Sequence, residues 1–216
     1  MSKVFITGPA RSGTSLLLIL SKYFNNCFPH LDEEKHPLAP CMWHESSQYK
    51  HTIIKQPYGF FEEFRPAYSF QDLFNAGWKI ICLIRDPRDT LVSYNKREKN
   101  GAHWCPPKSW IRTARELIDN VGHPCLFALH YEDLVKDPVP TMNEVAQFLD
   151  VSLDQNFLNF YKDSPILENK WKTLNGFRPI DQNSIGAWKD EKHAEYLGRV
   201  ITEEIRELAL KLGYEL

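Results

Sequence analysis

The sequence predicts one α/β domain over residues 1–216, with three layers (α/β/α) built around a central parallel sheet. Short apolar runs typical of buried strands alternate with stretches of helical period, which is the pattern of a parallel sheet covered by helices on both faces. A glycine turn follows the first such run and opens a helix, which is typical of a P-loop-like anion-binding loop. Since no sequence period repeats and no segment is of low complexity, a single domain is expected.

Composition excludes several classes of protein. The hydrophobic share of 43% and the charged share of 25% are ordinary for a soluble globular chain. A formal net charge of -2 gives no reason to expect nucleic acid or an anionic membrane as a partner. The cysteines are widely spread without a C-x-x-C pair, and the histidines lack ligand spacings, so free thiols and no metal site are expected. Without a signal peptide or membrane anchor, a cytoplasmic protein is predicted.

The periodicity predicts where the strands and helices lie. Strands are expected at residues 3–7, 51–55, 79–84 and 125–129, and helices at 14–25, 89–99, 107–121, 139–149 and 191–212. Residues 26–50 are rich in proline and polar groups, so an irregular excursion is expected there. Ligands of parallel sheets bind beyond the carboxyl ends of the strands. The turns after residues 7, 55, 85 and 129 are therefore the predicted location of the chemistry.

The first of these turns, residues 8–15 (GPARSGTS), fits the nucleotide-binding frame G-x-x-x-x-G-K-[ST] except that Thr14 stands at the lysine position. Its glycines allow close approach to an anion, and the amides of residues 12–15 lie at a helix start, where negative charge is favoured. Arg11 adds a cation in the middle of the loop. Kinases and GTPases use the missing lysine on their β- and γ-phosphates, so the turn argues against ordinary triphosphate chemistry.

The turn after the 79–84 run carries a second arginine. Residues 85–89 (RDPRD) follow the run, and Ser93 is expected on the next helix, eight residues after Arg85. A guanidinium and a hydroxyl that converge on one point make a good phosphate site. The alternative is a structural salt bridge from Arg85 to Asp86 or Asp89, with Ser93 on a solvated face. These residues alone leave both interpretations open.

Together, the two turns resemble the PAPS-dependent sulfotransferase family, PAPS being 3′-phosphoadenosine-5′-phosphosulfate. Residues 11–15 are similar to its 5′-phosphosulfate loop, and residues 85–89 with Ser93 are similar to its 3′-phosphate motif. Weaker similarities follow in the family's order: a tyrosine-containing segment, a C-terminal loop that closes over the nucleotide, and an ending common in bacterial members (residues 130–134, 184–189 and 212–214). The resemblance extends from residue 3 to the C-terminus.

The resemblance implies a P-loop fold and a reaction. The sulfuryl group of PAPS would pass to a hydroxyl or amine acceptor by in-line displacement without metal. The expected partners are PAPS and a small-molecule or carbohydrate acceptor, with no nucleic acid and no membrane. The residues expected to bind PAPS are Arg11, Ser12, Gly13, Thr14, Ser15, Arg85, Ser93, Tyr131 and Arg178.

The chain departs from the family's pattern in three places. The loop carries Arg11 where the cytosolic enzymes have lysine. In this it is similar to the carbohydrate and tyrosine sulfotransferases, which also carry arginine. The lysine–threonine–histidine stretch that supplies a catalytic histidine reads Lys55-Gln56-Pro57 here, so that histidine is absent. The basic residue that the family has before the C-terminal segment of residues 184–189 is out of its usual register here. Arg178 is therefore only a candidate for contact with the 3′-phosphate.

The chemistry of sulfuryl transfer assigns the catalytic candidates. Positioning and charge stabilisation dominate such reactions, so cations must lie beside the leaving oxygen; Arg11 and Lys55 are the candidates. For Lys55 the alternative is an ordinary surface lysine. An acceptor hydroxyl also needs a base. Glu34 is the first choice and Glu33 the second, since they follow the first helix much as paired glutamates do in tyrosine sulfotransferases. Other candidates in the same region are His44, Glu45 and His51.

Two other classes of function remain open on sequence grounds. One is a P-loop kinase or NTPase-like enzyme in which Asp86 would serve as a magnesium carboxylate. The other is a non-catalytic nucleotide-binding relative that keeps the fold and lacks a base. The acceptor is expected to contact residues 26–50, 58–70, 100–110 and 165–180, whose aromatics would suit a sugar, a phenol or a hydrophobic alcohol.

Overall fold

The computed structural model describes residues 2–31, 37, 48–58, 68–94, 103–162 and 178–216. The strands are β1 (Ser2–Thr7), β2 (Cys27–Pro29), β3 (His51–Lys55), β4 (Trp78–Ile84) and β5 (Leu126–His130). The helices are α1 (Thr14–Leu20), α2 (Phe70–Asn75), α3 (Pro87–Leu91), α4 (Pro107–Asp119), α5 (Tyr131–Lys136), α6 (Pro138–Leu149), α7 (Ala194–Val200) and α8 (Glu203–Lys211). Short 3₁₀ segments cover Ser21–Tyr23, Gln155–Lys162, Ala187–Lys189 and Glu191–His193. Across these ranges, no helix has both the length and the apolar character to cross a membrane.

The strands form a parallel sheet in the order β2-β3-β1-β4-β5. In the central strand β1, Val4, Phe5 and Ile6 are fully buried. Because side chains alternate along a strand, Val4 and Ile6 join one apolar cluster, with α1 and α6, while Phe5 joins the opposite cluster, with α4 and α8. The predicted three-layer α/β/α fold with a central parallel sheet is confirmed.

The main departures from the predicted elements lie outside the central strands. The segment expected to be irregular contains the edge strand β2, which pairs with β3 over three residues. The single C-terminal helix expected over 191–212 is wrong, because Thr202 separates α7 from α8. The Thr202 side chain accepts a hydrogen bond from the Ile205 amide and so begins a new helix. A hydroxyl that caps a helix start competes with continuation of the preceding helix.

Two other predicted helices are shorter than expected. The helix predicted over 14–25 ends at Leu20, where a 3₁₀ turn begins and the Ser21 hydroxyl donates to Leu18 O at 2.7 Å. The helix predicted from residue 89 begins earlier, at Pro87, because proline fits a first turn and Asp86 caps it by accepting from the Arg88 amide. That helix ends at Leu91, so Ser93 follows it instead of lying on it.

The carboxyl ends of the strands share one edge of the sheet, because all of them run parallel. Thr7, Lys55, Ile84 and His130 end β1, β3, β4 and β5 at this edge. The turn after β3 is tied to the turn after β1, since the Tyr58 amide donates to Gly8 O at 2.8 Å. The predicted meeting of these turns at one edge is therefore observed.

The turn after β1 lies directly on β4 because of a glycine. Gly8 has φ +149°, and a Cβ there would lie 2.2 Å from Leu83 O and 2.6 Å from Ser12 Oγ. Neither the left-handed backbone nor the contact with a strand carbonyl tolerates a side chain. The close approach of the loop to the sheet therefore depends on this residue.

Gly8→Ala is expected to destabilise the fold by at least about 3 kcal/mol, because the methyl group would force the loop away from the β4 backbone. Denaturant unfolding of the purified variant measures the loss. Gly122→Ala is the matched control, since Gly122 has φ +84° and nothing within 4 Å of the added Cβ. Its cost should be only about 1–2 kcal/mol, from the backbone conformation alone. Equal losses in the two variants would contradict the steric explanation.

Candidate functional site

The loop between β1 and α1 turns tightly around its own backbone. The Ser12 amide donates to Pro9 O at 3.2 Å, and Arg11 has φ +73°, which is uncommon for a residue with a side chain. Ser12 is fully buried, and its Oγ has no hydrogen-bond partner within the described ranges. An unpaired buried hydroxyl costs about 1–3 kcal/mol, which a ligand that hydrogen-bonds to it would recover.

Arg11 reaches from this loop to the second predicted motif. Its Nε donates to Ser93 Oγ at 3.0 Å, so the serine expected to bind a phosphate lies beside the arginine of the first loop. Burial lowers the pKa of Arg11, and the positive charge of Arg85 lowers it further. Two cations are thus held close together in a partly desolvated place, which favours an anion between them.

Arg85 leaves the end of β4 with its guanidinium fixed by the backbone. Its Nη1 donates to Arg11 O at 3.0 Å and its Nη2 donates to Ser184 O. The side chain is 8% exposed, and its Nε has no partner among the residues described. The unpaired Nε–H is therefore available to a ligand.

The two carboxylates near Arg85 accept hydrogen bonds from other groups, and one of them also forms an ion pair with Arg85. Both oxygens of Asp86 accept from Arg88, whose Nη2 lies 2.7 Å from Oδ2 and whose Nε lies 3.0 Å from Oδ1. Asp89 accepts from the amides of Gly186 and Trp188, and its Oδ2 is 3.8 Å from Arg85 Nη2, beyond hydrogen-bonding distance. Asp89 therefore forms a buried ion pair with Arg85, which is the predicted alternative of a structural salt bridge, although no direct hydrogen bond joins the two side chains. Ser93, however, contacts Arg11 instead of lying on a solvated face.

Tyr131 packs its ring against both motifs. It begins α5, and the Cζ atom of Arg85 lies 4.5 Å from the centre of its ring. Gly13, the residue before α1, has φ +93°, and a Cβ there would lie 2.6 Å from Tyr131 Cδ2. Any side chain at position 13 would thus collide with this ring, so the loop, Arg85 and Tyr131 form one packed unit.

Lys55 ends β3 on the other side of β1. Lys55 is only 4% exposed, so the interpretation as an ordinary surface lysine is wrong. Lys55 pairs in register with Ile6, one residue before the end of β1. The backbone carbonyl of the next residue, Gln56, accepts a hydrogen bond from the Thr7 hydroxyl at 2.8 Å. Within the described part of the chain, Gln56 Oε1 is buried without a partner. Lys55 is thus a buried residue at the edge of the sheet where the loop begins.

The acid–base candidates fall into two groups. Glu33, Glu34, His44 and Glu45 lie outside the described residues. His51 begins β3 at the opposite end from Lys55, where its Nε2 donates to Leu149 O at 2.7 Å and its Nδ1 accepts from the Ser2 hydroxyl. Burial lowers the pKa of this imidazole. His51 is thus a structural histidine far from the site.

Arg178 is not part of the packed unit. Its Nε lies 3.0 Å from Asp181 Oδ2, and its side chain is 45% exposed. The pair precedes Ser184, whose carbonyl accepts from Arg85. Its contact with a 3′-phosphate stays a prediction.

Side chains that sequence reasoning missed support the turn after β4. Trp110 Nε1 donates to Arg85 O at 3.0 Å. Glu132 accepts from the Asp86 amide at 3.0 Å and from the Tyr214 hydroxyl at 2.9 Å, and burial together with Glu132 raises the pKa of Tyr214. No periodicity or spacing signals contacts over such separations. The weak similarities around Glu132 and Tyr214 pointed to the segments without assigning these roles.

Fold and site together define an α/β protein of the P-loop type, in which Arg11, Arg85 and buried donors without partners among the described residues lie together at the carboxyl edge of the sheet. The chain belongs to the sulfotransferase domain family, whose model matches residues 1–208. The resemblance found in the sequence motifs is thereby confirmed.

Similar proteins agree with this assignment. Sulfotransferase 2A6 of Rattus norvegicus is 26% identical over 168 residues, which cover 62% of this chain and 59% of the relative. The chain thus matches about three-fifths of the length of that relative. The sulfotransferase domain from the Synechococcus PCC 7002 olefin synthase has a TM-score of 0.72 at 19% identity and covers 100% of this chain and 96% of its own. Retinol dehydratase in complex with retinol and PAP has a TM-score of 0.59 at 15% identity, over 96% and 81% of the two chains.

Proposed function

We propose that this chain transfers the sulfuryl group of PAPS to a hydroxyl or amine of a small-molecule or carbohydrate acceptor. One observation carries the proposal: Arg11 and Arg85 are held together at the loop, and within the described residues no carboxylate is hydrogen-bonded to Arg85, whose ion pair with Asp89 spans 3.8 Å. A nucleotide with anionic groups on both sides of its ribose would offset the repulsion between two such cations. Family membership supports sulfuryl transfer, and the retinol dehydratase complex, which contains PAP and retinol, supports both the nucleotide and a small-molecule acceptor.

The residues present fit PAPS. Ser12 Oγ and Arg85 Nε are buried donors without partners in the described part of the chain, and phosphate oxygens are acceptors that would satisfy them. Ser93 Oγ and Arg11 Nε are joined at 3.0 Å, so the serine expected at the 3′-phosphate and the arginine expected at the 5′-phosphosulfate border one continuous site. Tyr131 supplies an aromatic surface below it.

The chain's residues divide the catalytic work. PAPS, when bound, supplies the sulfuryl group. Arg11 and the buried Lys55 stabilise negative charge where the bridging oxygen leaves. Thr14 and Ser15, at the start of α1, offer hydroxyls and amides to the sulfuryl oxygens. Glu34, or Glu33 as the second candidate, accepts the proton of the acceptor, and the displacement proceeds in line without a metal.

A P-loop kinase or NTPase-like activity is less well supported. That mechanism would need Asp86 as a magnesium carboxylate, yet both of its oxygens accept from Arg88. Thr14 also stands where the triphosphate lysine would be. A non-catalytic nucleotide-binding relative would share the site but lack turnover, so only an activity assay separates it from the proposed enzyme.

The nucleotide prediction tests the proposed function directly. We expect 3′,5′-ADP, the desulfated product, to bind much more tightly than 5′-AMP or ATP by calorimetry, without magnesium. Arg85→Ala should cost about 2–5 kcal/mol of this affinity, since a charge-assisted contact is lost. Arg115→Ala is the control, because Arg115 is an exposed arginine paired with Glu204 on the surface. Magnesium-dependent ATP binding without preference for a 3′-phosphate would overturn the proposal.

Lys55→Ala should lower turnover by about 10²–10³-fold while changing affinity for 3′,5′-ADP much less, since its charge is needed mainly as the bridging oxygen becomes negative. Steady-state kinetics with labelled PAPS, beside calorimetry, separate the two effects. Lys50→Ala is the control, because Lys50 precedes the same strand at its other end and forms a surface pair with Asp150. Unchanged turnover in Lys55→Ala would show that the assignment of Lys55 is wrong.

Glu34→Gln keeps the shape of the side chain but cannot accept a proton, so it should lower turnover by about 10²–10⁴-fold with PAPS affinity nearly unchanged. The measurement is kcat beside nucleotide binding, with Glu33→Gln and His44→Ala assayed in parallel. Normal turnover in Glu34→Gln together with a defect in one of the others would move the base to that residue and leave the family assignment intact.

A further inference from the structure

Asp89 is a buried carboxylate that the reaction above does not use. Its side chain is 1% exposed and lies on α3, one turn after Arg85. Oδ2 accepts from the Gly186 amide at 2.8 Å, and Oδ1 accepts from the Trp188 amide at 3.0 Å. Each oxygen therefore holds one backbone amide of the segment 184–188, which we call the C-terminal loop.

The C-terminal loop is fixed at two further points of the same turn. Ser184 O accepts from Arg85 Nη2, at the start of the loop. At its end, the ring of Trp188 faces the guanidinium of Arg88, with 4.0 Å between the ring centre and Cζ, and Asp86 holds that guanidinium in place. The loop and the arginine expected to bind the 3′-phosphate thus share one network.

The charge of Asp89 makes these bonds strong and specific. Hydrogen bonds from backbone amides to a carboxylate are charge-assisted and stronger than those between neutral groups. A buried carboxylate also needs partners, and here the loop amides supply them while Arg85 lies 3.8 Å away as a counter-charge. Docking of the loop is therefore coupled electrostatically to Arg85.

We propose that Asp89 is a positioning residue that docks the C-terminal loop against Arg85 and thereby sets the preference for a nucleotide with a 3′-phosphate. With Nη1 on Arg11 O and Nη2 on Ser184 O, the orientation of the Arg85 guanidinium is fixed, and its Nε–H, which has no partner among the described residues, points to a single place. Loss of the loop removes one of these two backbone anchors. This inference rests on the proposed function, in which Arg85 binds the 3′-phosphate.

Asp89→Asn tests the proposal. Asparagine presents one oxygen and one NH₂ group, so one loop amide would face a donor and the counter-charge to Arg85 would be lost. Affinity for 3′,5′-ADP should fall about tenfold or more, and affinity for 5′-AMP by less than about threefold, both by calorimetry. A general loss of protein stability would instead lower the affinities for 3′,5′-ADP and 5′-AMP by the same factor. Asp190→Asn is the matched control, since Asp190 is an exposed aspartate that caps the next 3₁₀ turn through the Lys192 amide.

Hydrogen exchange on the wild-type chain gives a second measurement that needs no variant. Binding of 3′,5′-ADP should slow exchange of the Gly186 and Trp188 amides, because an occupied Arg85 stabilises the docked loop, whereas 5′-AMP should not. Unchanged exchange at both amides with 3′,5′-ADP bound would overturn the proposal, as would an Asp89→Asn variant that keeps the wild-type nucleotide preference. A wild-type chain without any preference for 3′,5′-ADP over 5′-AMP would instead refute the proposed 3′-phosphate site.

Discussion

Arg11 and Arg85 bring two positive charges close together at the carboxyl edge of the sheet, and the repulsion between them contributes to the lowered pKa of Arg11. Backbone carbonyls accept the hydrogen bonds of the Arg85 guanidinium, while Asp89 forms an ion pair with it at 3.8 Å. The carbonyl oxygens orient the cation, and the Asp89 carboxylate offsets part of its charge. The glycine loop, Tyr131 and the C-terminal loop all contact this pair or the backbone beside it.

Asp86 and Asp89 are the two carboxylates beside this pair of arginines. Asp86 is occupied by Arg88, and Asp89 by the amides of Gly186 and Trp188. Each carboxylate satisfies its own hydrogen-bonding needs away from Arg85, while its charge still offsets part of the cost of burying a cation. The same turn therefore carries a buried arginine, its counter-charges and the anchor of a distant loop.

The stability of this turn also depends on residues near the C-terminus. Tyr214 donates to Glu132, which in turn accepts from the Asp86 amide.

Relatives with 15–19% identity keep the same fold, so the fold does not depend on most of the individual side chains. Function is decided by sites placed on the fold. Here the distinctive features are Arg11 in the loop and Lys55-Gln56-Pro57 after β3.

The sequence by itself determined the central strands, the parallel sheet and the glycine loop between β1 and α1. Buried parallel strands are continuous apolar runs, and loop glycines follow from backbone sterics, so both are local signals. Tertiary structure alone decided that Arg85 is held by carbonyls, that Lys55 is buried, and that His51 lies at the wrong end of its strand. The engagement of Asp89 by the C-terminal loop was equally hidden, because its partners are 97 and 99 residues away. Contacts over such distances are set by packing of the whole chain, and no sequence spacing encodes them.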